Sequence, residues 1–264
     1  MPIEPITVAD RLVKAYKVAD EAGLVARLKK KFSKTRIAIT GASGIGKTVL
    51  FDHLVGKAPN LYYTPPLRST SVEKANVPHK AMSLVTVPGD LLNPRSSALR
   101  DLFVGKDTVE GVIHVVCNGY IPLQYNDTTQ SLSDQGVNTL QEYLEYRRRQ
   151  EVEDFADVLG YIQRSVSAGQ GKPKWLLIAL AKCDLYANSE DARNHYIADT
   201  QSDFVKALND FKAKVGAGFP ISVQPVSTFL EDFQFGETIR PMLGERQRNK
   251  VLIEFLRVLE GYAK

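Results

Sequence analysis

A doubly wound, three-layer α/β fold is predicted for this chain, built on a mostly parallel sheet with one antiparallel strand. Three observations predict it. Short runs rich in Val, Ile and Leu recur without polar alternation, the pattern of strands buried on both faces. Longer stretches with apolar residues at spacings of three and four lie between them, so strands alternate with helices. Two strand-like runs are separated only by Pro78-His79-Lys80-Ala81, too few residues for a crossover helix, which forces that pair into an antiparallel hairpin.

The elements follow in order. Residues 7–32 carry Val8, Leu12, Tyr16 and Ala19 at helical spacing, with Thr7 as a cap, Asp10 near the first turn and Gly23 dividing the stretch; residues 1–34 are therefore expected as a helical extension ahead of one domain, 35–264. Arg36–Thr40 begins the strands, followed by a glycine-rich turn and an apolar helix from about Lys47 to Val55. Ser71–Val77 and Met82–Val87 form the hairpin, and Gly111–Val116, Trp175–Leu180 and Ile221–Val226 supply the remaining strands. The connection 118–174 is enlarged: an irregular polar segment, Asn118 to Asp134, leads into a stripe of Val137, Leu140, Leu144, Phe155, Leu159, Ile162 and Val166 over 135–166, expected as two helices. A single helix is expected near Asp191–Val215, marked by Ile197, Phe204, Leu208, Phe211 and Val215. The last helix, Glu245–Tyr262, buries Val251, Leu252, Phe255, Leu256, Leu259 and Tyr262.

Composition excludes several classes. With 264 residues, 44% hydrophobic and 24% charged, the chain has the make-up of an ordinary globular protein. Trp175 to Ala181 is the best apolar run, far short of the roughly 18 residues a bilayer span needs. The opening Met-Pro-Ile-Glu-Pro has no signal-peptide core, and a cytoplasmic protein is the expectation. Residues 1–40 hold nine Lys/Arg against four Asp/Glu, so the rest of a chain of net charge +4 sums to −1. Nucleic-acid binding, which asks for a basic stripe over the domain itself, is not expected. Lys29-Lys30-Lys31 reads first as a solvated helix end whose charges suit the helix dipole, and second as a peripheral contact with an anionic membrane or an acidic partner. Cys117 and Cys183 are too few for a disulfide framework and are expected as reduced thiols.

One motif carries specific chemistry. Gly41-Ala42-Ser43-Gly44-Ile45-Gly46-Lys47-Thr48 fits G-x-x-x-x-G-K-S/T at every position, between a predicted strand and a predicted helix. Glycines let backbone N–H groups turn inward around a phosphate, and the following helix points its positive end at the same anion. Lys47 is placed to neutralise β/γ oxygens and the Thr48 hydroxyl to ligate Mg²⁺. Thr40 to Gly46 also matches the glycine turn of short-chain dehydrogenases, but their chemistry needs Lys four residues after a Tyr, and none of the eleven tyrosines has one.

Downstream, Ala181-Lys182-Cys183-Asp184 resembles the guanine-specificity motif N/T-K-x-D of P-loop GTPases, with Ala181 in place of the residue that braces the phosphate loop. The resemblance implies that Lys182 lays its stem along a purine and that Asp184 accepts hydrogen bonds from guanine N1–H and the N2 amine. Pro225-Val226-Ser227-Thr228 resembles the turn whose backbone meets the guanine carbonyl, with Ser227 at the matching position. Between these motifs such proteins carry two segments that sense the γ-phosphate. Thr70 stands where the first supplies a Mg²⁺-ligating Thr, with Ser69 and Thr64 as alternatives. Thr86-Val87-Pro88-Gly89-Asp90 is similar to D-x-x-G, with Gly89 in place, Thr86 at the aspartate that holds Mg²⁺ through water, and Asp90 where Ras-like enzymes orient the attacking water. In order and spacing, residues 36–228 resemble the TRAFAC-class small GTPases, and the stretch from Ser69 to Cys117 looks most similar to the Arf-like branch, including the β subunit of the signal recognition particle receptor. That resemblance implies a GTP/GDP switch using Mg²⁺, with slow or partner-stimulated hydrolysis and a protein effector or regulator. A non-hydrolysing GTP sensor and an ATP-using P-loop NTPase are the alternatives. Arg147, Arg148 and Arg149 are read as a solvated helix face, or as an internal arginine finger.

Overall fold

The structure is a computed structural model describing residues 34–58, 63–65, 71–89, 93–105, 108–123, 129–169 and 172–263. The expected helices of residues 7–32 and the basic run Lys29–Lys31 lie outside the described residues. The same holds for Ser69, Thr70 and Asp90.

Six strands, β1 (Thr35–Thr40), β2 (Glu73–Asn76), β3 (Met82–Thr86), β4 (Gly111–Val116), β5 (Leu176–Leu180) and β6 (Ile221–Pro225), form one sheet in the order β2-β3-β1-β4-β5-β6. Every pairing is parallel except β2 with β3, where Glu73 faces Thr86 and Asn76 faces Ser83. This is the doubly wound, three-layer arrangement, mostly parallel with one antiparallel strand, predicted from the hairpin spacing and the Val/Ile-rich runs. The central strands β4 and β5 are buried at every position, as their unbroken apolar sequences require, whereas edge strand β2 alternates half-buried and exposed residues.

Helices cover both faces. On one, α1 (Lys47–Leu54) and α7 (Glu245–Tyr262) pack Leu50, Phe51, Leu252, Phe255 and Leu259 over Ile37, Ile39, Ile113 and Leu177. On the other, α2 (Asn93–Phe103), α4 (Leu140–Ser167), α5 (Ser189–Ile197) and α6 (Asp203–Val215) bury Leu99, Phe103, Phe155, Ile162, Tyr196 and Phe204 against Ala38, Val112, Ile178 and Val223. A one-turn helix, α3 (Thr129–Ser133), precedes α4.

Four regions differ from expectation. The stripe expected as two helices is one helix of 28 residues, α4, started by a capping box in which Thr139 Oγ1 accepts from Glu142 N and Glu142 Oε2 accepts from Thr139 N. It contains no proline, and Gly160 is absorbed in a helix held by packing on the sheet. The single helix expected over Asp191–Val215 is two, α5 and α6. Asn188 caps α5 through Glu190 N and Asp191 N, and the Asp199 side chain accepts from Gln201 N, so local side-chain bonds displace helix between them. Helix α2 was not expected at all: its stripe of Ala98, Leu99, Leu102 and Phe103 is short and follows Asn93-Pro94. The region Phe229–Leu243, for which no element was expected, contains a hairpin of β7 (Phe233–Phe235) and β8 (Glu237–Ile239). Its Phe235 stacks on Tyr143 at 4.1 Å, and Phe233 meets Tyr120 edge-on at 5.2 Å. Cys117 and Cys183 are both free and buried, as expected. Among the described residues no helix is long and apolar enough to cross a membrane.

Candidate nucleotide-binding site

The glycine-rich loop leaves β1 at its C-terminal end and enters α1, the strand–turn–helix context the motif requires. Gly41, Gly44 and Gly46 have φ of 131°, 76° and 96°, values that a side chain with a Cβ resists. At Gly41 the reason is also steric, since a Cβ would lie 2.5 Å from the Val115 carbonyl oxygen on the neighbouring strand. Gly46 caps α1, and its carbonyl accepts the first helical bond, from Leu50 N at 2.9 Å. The Lys47 ammonium folds back over the loop and donates to Ala42 O at 2.5 Å. Ser43, Ile45 and Thr48 thus lie on a closed turn at the N-terminus of an eight-residue helix, the geometry that presents amide hydrogens to an anion.

Gly89 lies directly against this loop. A Cβ on it would fall 2.5 Å from Ser43 N and 2.6 Å from Lys47 Nζ, so the Val87–Gly89 segment touches the cradle through bare backbone. Thr86, at the end of β3, is buried, and its hydroxyl accepts from Glu73 N across the hairpin at 3.3 Å. Thr64 is exposed.

Beneath the loop sits a polar group that sequence reading missed. Arg95, from α2, is 1% exposed; its NH1 donates to Gly41 O at 3.4 Å and to Gly89 O at 3.3 Å. Its NH2 lies 2.5 Å from Asp154 Oδ1 on α4. His114 on β4 follows, with Nε2 3.8 Å from Asp154 Oδ2 and Nδ1 3.0 Å from Thr40 Oγ1. Burial drives His114 down to about 3, with Arg95 and Lys47 adding to the effect, so the ring is neutral. Burial also pushes the Asp154 carboxyl up to about 6, against the pull of Arg95 and Lys47. The short helical stripe of α2 was the one sequence signal that could have placed Arg95.

Two strands further along, the base motif follows β5. Lys182 adopts φ 55°, in the left-handed region, and Cys183–Leu185 make a single 3₁₀ turn that turns the chain back at once. Pairing of Leu180 with Pro225 sets the two strand ends side by side, and Ser227 Oγ donates to Asp184 Oδ1 at 2.6 Å. Both residues are almost wholly buried, and burial raises the Asp184 carboxyl above the ordinary range. The Asp184 carbonyl accepts from Met242 N at 2.7 Å, so the chain after the β7–β8 hairpin braces the turn. Lys182 Nζ donates to Tyr120 O at 2.8 Å. The Thr228 carbonyl accepts from His53 Nε2 at 2.8 Å and Arg248 NH1 at 2.9 Å, tying the turn after β6 to α1 and α7.

The arginine run does not form a uniform solvated face. Arg147 is buried: its Nε donates to the Tyr143 hydroxyl at 2.9 Å and its NH1 to Gln150 at 2.7 Å, while only Arg149 is fully exposed. One turn on, buried Glu151 accepts from Cys117 N, Gly119 N and the Tyr196 hydroxyl, pinning the loop that carries Tyr120.

No family model matches the chain, and no curated protein matches it. Among solved structures, a variant of S. thermophilus NFeoB bound to GDP and AlF4⁻ is similar over 72% of this chain and 56% of its own, at 15% identity and a TM-score of 0.37. Another NFeoB variant, bound to GMPPNP, gives 14% identity and the same TM-score. A dimerization-deficient variant of Toc33 from Arabidopsis thaliana is similar over 94% of this chain and 91% of its own, at 10% identity and a TM-score of 0.47. The chain thus spans about half the length of the NFeoB chains it matches. The architecture described above rests on strand order and register, not on these likenesses.

Proposed function

We propose that this protein binds guanine nucleotide and works as a GTP/GDP switch of the small P-loop GTPase type. The observation that carries the reading is the Asp184–Ser227 pair at the ends of β5 and β6, in the same sheet whose β1 opens into a full G-x-x-x-x-G-K-T loop. Ligands of such sheets bind outside the carboxyl ends of the strands, where both features lie. The loop amides and Lys47 hold the phosphates, and the Lys182 stem lies along the base. Asp184 accepts from guanine N1–H and the N2 amine. Adenine offers no donor there, and a buried carboxylate without one costs about 1–3 kcal/mol. Thr48, Thr70 and Thr86 would hold Mg²⁺, which would offset phosphate charge. Gly89 senses the γ-phosphate with its N–H, and Asp90 stands beside the attacking water. Hydrolysis is slow or completed by a protein partner.

The nucleotide carried by the purified protein, released by denaturation and identified by mass spectrometry, tests this reading. GDP or GTP is expected; ATP displacing labelled GDP as well as GTP does would refute the guanine assignment. A non-hydrolysing sensor is the second reading, favoured by Thr86, whose uncharged hydroxyl is already engaged with Glu73 N. Single-turnover assays separate the two: tight GTP binding with no phosphate release above the buffer blank selects the sensor.

A further inference from the structure

We infer that Arg95 is the positioning residue that couples the γ-phosphate-sensing Gly89 to helix α4, acting through Asp154. The inference rests on the switch reading above and goes beyond it by naming the path along which the nucleotide state leaves the site.

Gly89 has no slack, because a single added carbon would collide with Ser43 N and Lys47 Nζ. Anything that occupies the cradle beside Lys47 therefore acts on the Gly89 backbone first. That backbone is gripped from behind by one nitrogen: Arg95 NH1 meets Gly89 O at 3.3 Å and Gly41 O at 3.4 Å, joining the sensing segment to the phosphate loop. A guanidinium can make such a bridge and still present its other nitrogens elsewhere, which an ammonium on a flexible stem cannot. Here NH2 faces Asp154 at 2.5 Å and Nε lies 3.8 Å from Asp157, both on α4. A shift of Gly89 must either break the NH1 contact or drag the guanidinium, and with it the carboxylates of α4.

Among the described residues, Arg95 Nε and NH2 and both Asp154 oxygens lack an aligned hydrogen-bond partner, so the pair is held by charge and proximity. Neutral His114 flanks the pair without adding a third positive charge beside Arg95 and Lys47. Asp154 stands at the middle of α4, so a displacement entering there reaches about 20 Å toward each end of the 28-residue helix at 1.5 Å per residue.

The test uses the full chain and two variants. Arg95→Lys keeps the charge but not the bridge. The double variant Arg95→Met with Asp154→Asn removes both charges and leaves no unpaired buried ion, which guards against simple unfolding. Affinities for GDP and for GMPPNP are measured by equilibrium titration, and amide exchange of residues 140–167 is compared with each nucleotide bound. In both variants the GMPPNP-to-GDP affinity ratio is expected to fall about tenfold, and the nucleotide-dependent exchange difference in α4 to vanish. Equal loss of both affinities, or an unchanged ratio with the exchange difference retained, overturns the inference. A wild-type protein that binds neither nucleotide overturns the switch reading itself, and so the two failures are told apart.

Discussion

The two ends of the proposed site are built on opposite plans. At the phosphate end, eight consecutive residues supply nearly everything: three glycines with positive φ, the ammonium of Lys47 and the start of α1. At the base end, the working groups come from separate strands, and Asp184 meets Ser227 only because Leu180 pairs with Pro225. Both ends nevertheless share one device, an arginine from a distant helix gripping a backbone carbonyl of the motif. Arg95 holds Gly41 and Gly89, and Arg248 holds Thr228 with help from His53. A site made of backbone amides needs contiguity, whereas one made of a side-chain carboxylate needs register. Each needs outside bracing, because loops at strand ends have few ladder bonds of their own.

The sharpest way to break the comparison is Lys47→Ala. It removes the charge-assisted bonds at the phosphate end and is expected to cut nucleotide affinity at least a hundredfold, about 3 kcal/mol, in fluorescence titrations with either purine. Asp184→Asn acts on the base end alone. GDP affinity should fall tenfold to a hundredfold, about 1–3 kcal/mol, with ADP affinity unchanged or improved; equal losses for both would place the acid outside base recognition.

The buried pair beneath the phosphate loop gives a pH signature. Asp154 is raised in the folded state to about 6, so its contribution to stability is full below about pH 4 and is lost as pH rises through 6. His114 is lowered to about 3, so its contribution is full above about pH 6.5 and is lost as pH falls toward 3. Between pH 4 and 6 the two slopes oppose each other, each at most about 1.4 kcal/mol per pH unit. Asp154→Asn should therefore unmask the histidine, and unfolding free energies from urea titrations should drop on acidification across this window by about 2 kcal/mol more than in the wild type. An identical pH profile in the variant would show that Asp154 does not titrate there. The smallest effect is expected from Arg248→Ala, which removes one of two donors to Thr228 O: a loss of about 1 kcal/mol in GDP affinity, read as a several-fold faster off-rate.

Legibility in the sequence followed the same division. The strands, the hairpin and the start of α1 could be read because burial on both faces, short spacing and a glycine-lysine turn are local patterns. The split of the expected Asp191–Val215 helix and the fusion of the expected pair over 135–166 were not readable. The split turned on the Asp199 side chain accepting from Gln201 N, inside a stretch whose apolar spacing suits a helix throughout, and the fusion on an uninterrupted α4 that begins only at its Thr139 cap. Arg147 was misjudged for a related reason: charge in a run of three arginines suggests solvent, and only packing reveals the Tyr143 ring and hydroxyl that take it in.

What the sequence determined by itself is the phosphate loop with its strand and helix, since amide donors in a tight turn are fixed by the residues that make the turn. Tertiary structure alone decided which buried charges meet. Arg95 with Asp154, Glu151 with the Cys117–Gly119 loop and Arg248 with Thr228 each join residues far apart in the chain. The physical reason is that a buried ion or carbonyl must find its partner wherever packing of the two helical layers happens to bring one, and no local pattern records that choice.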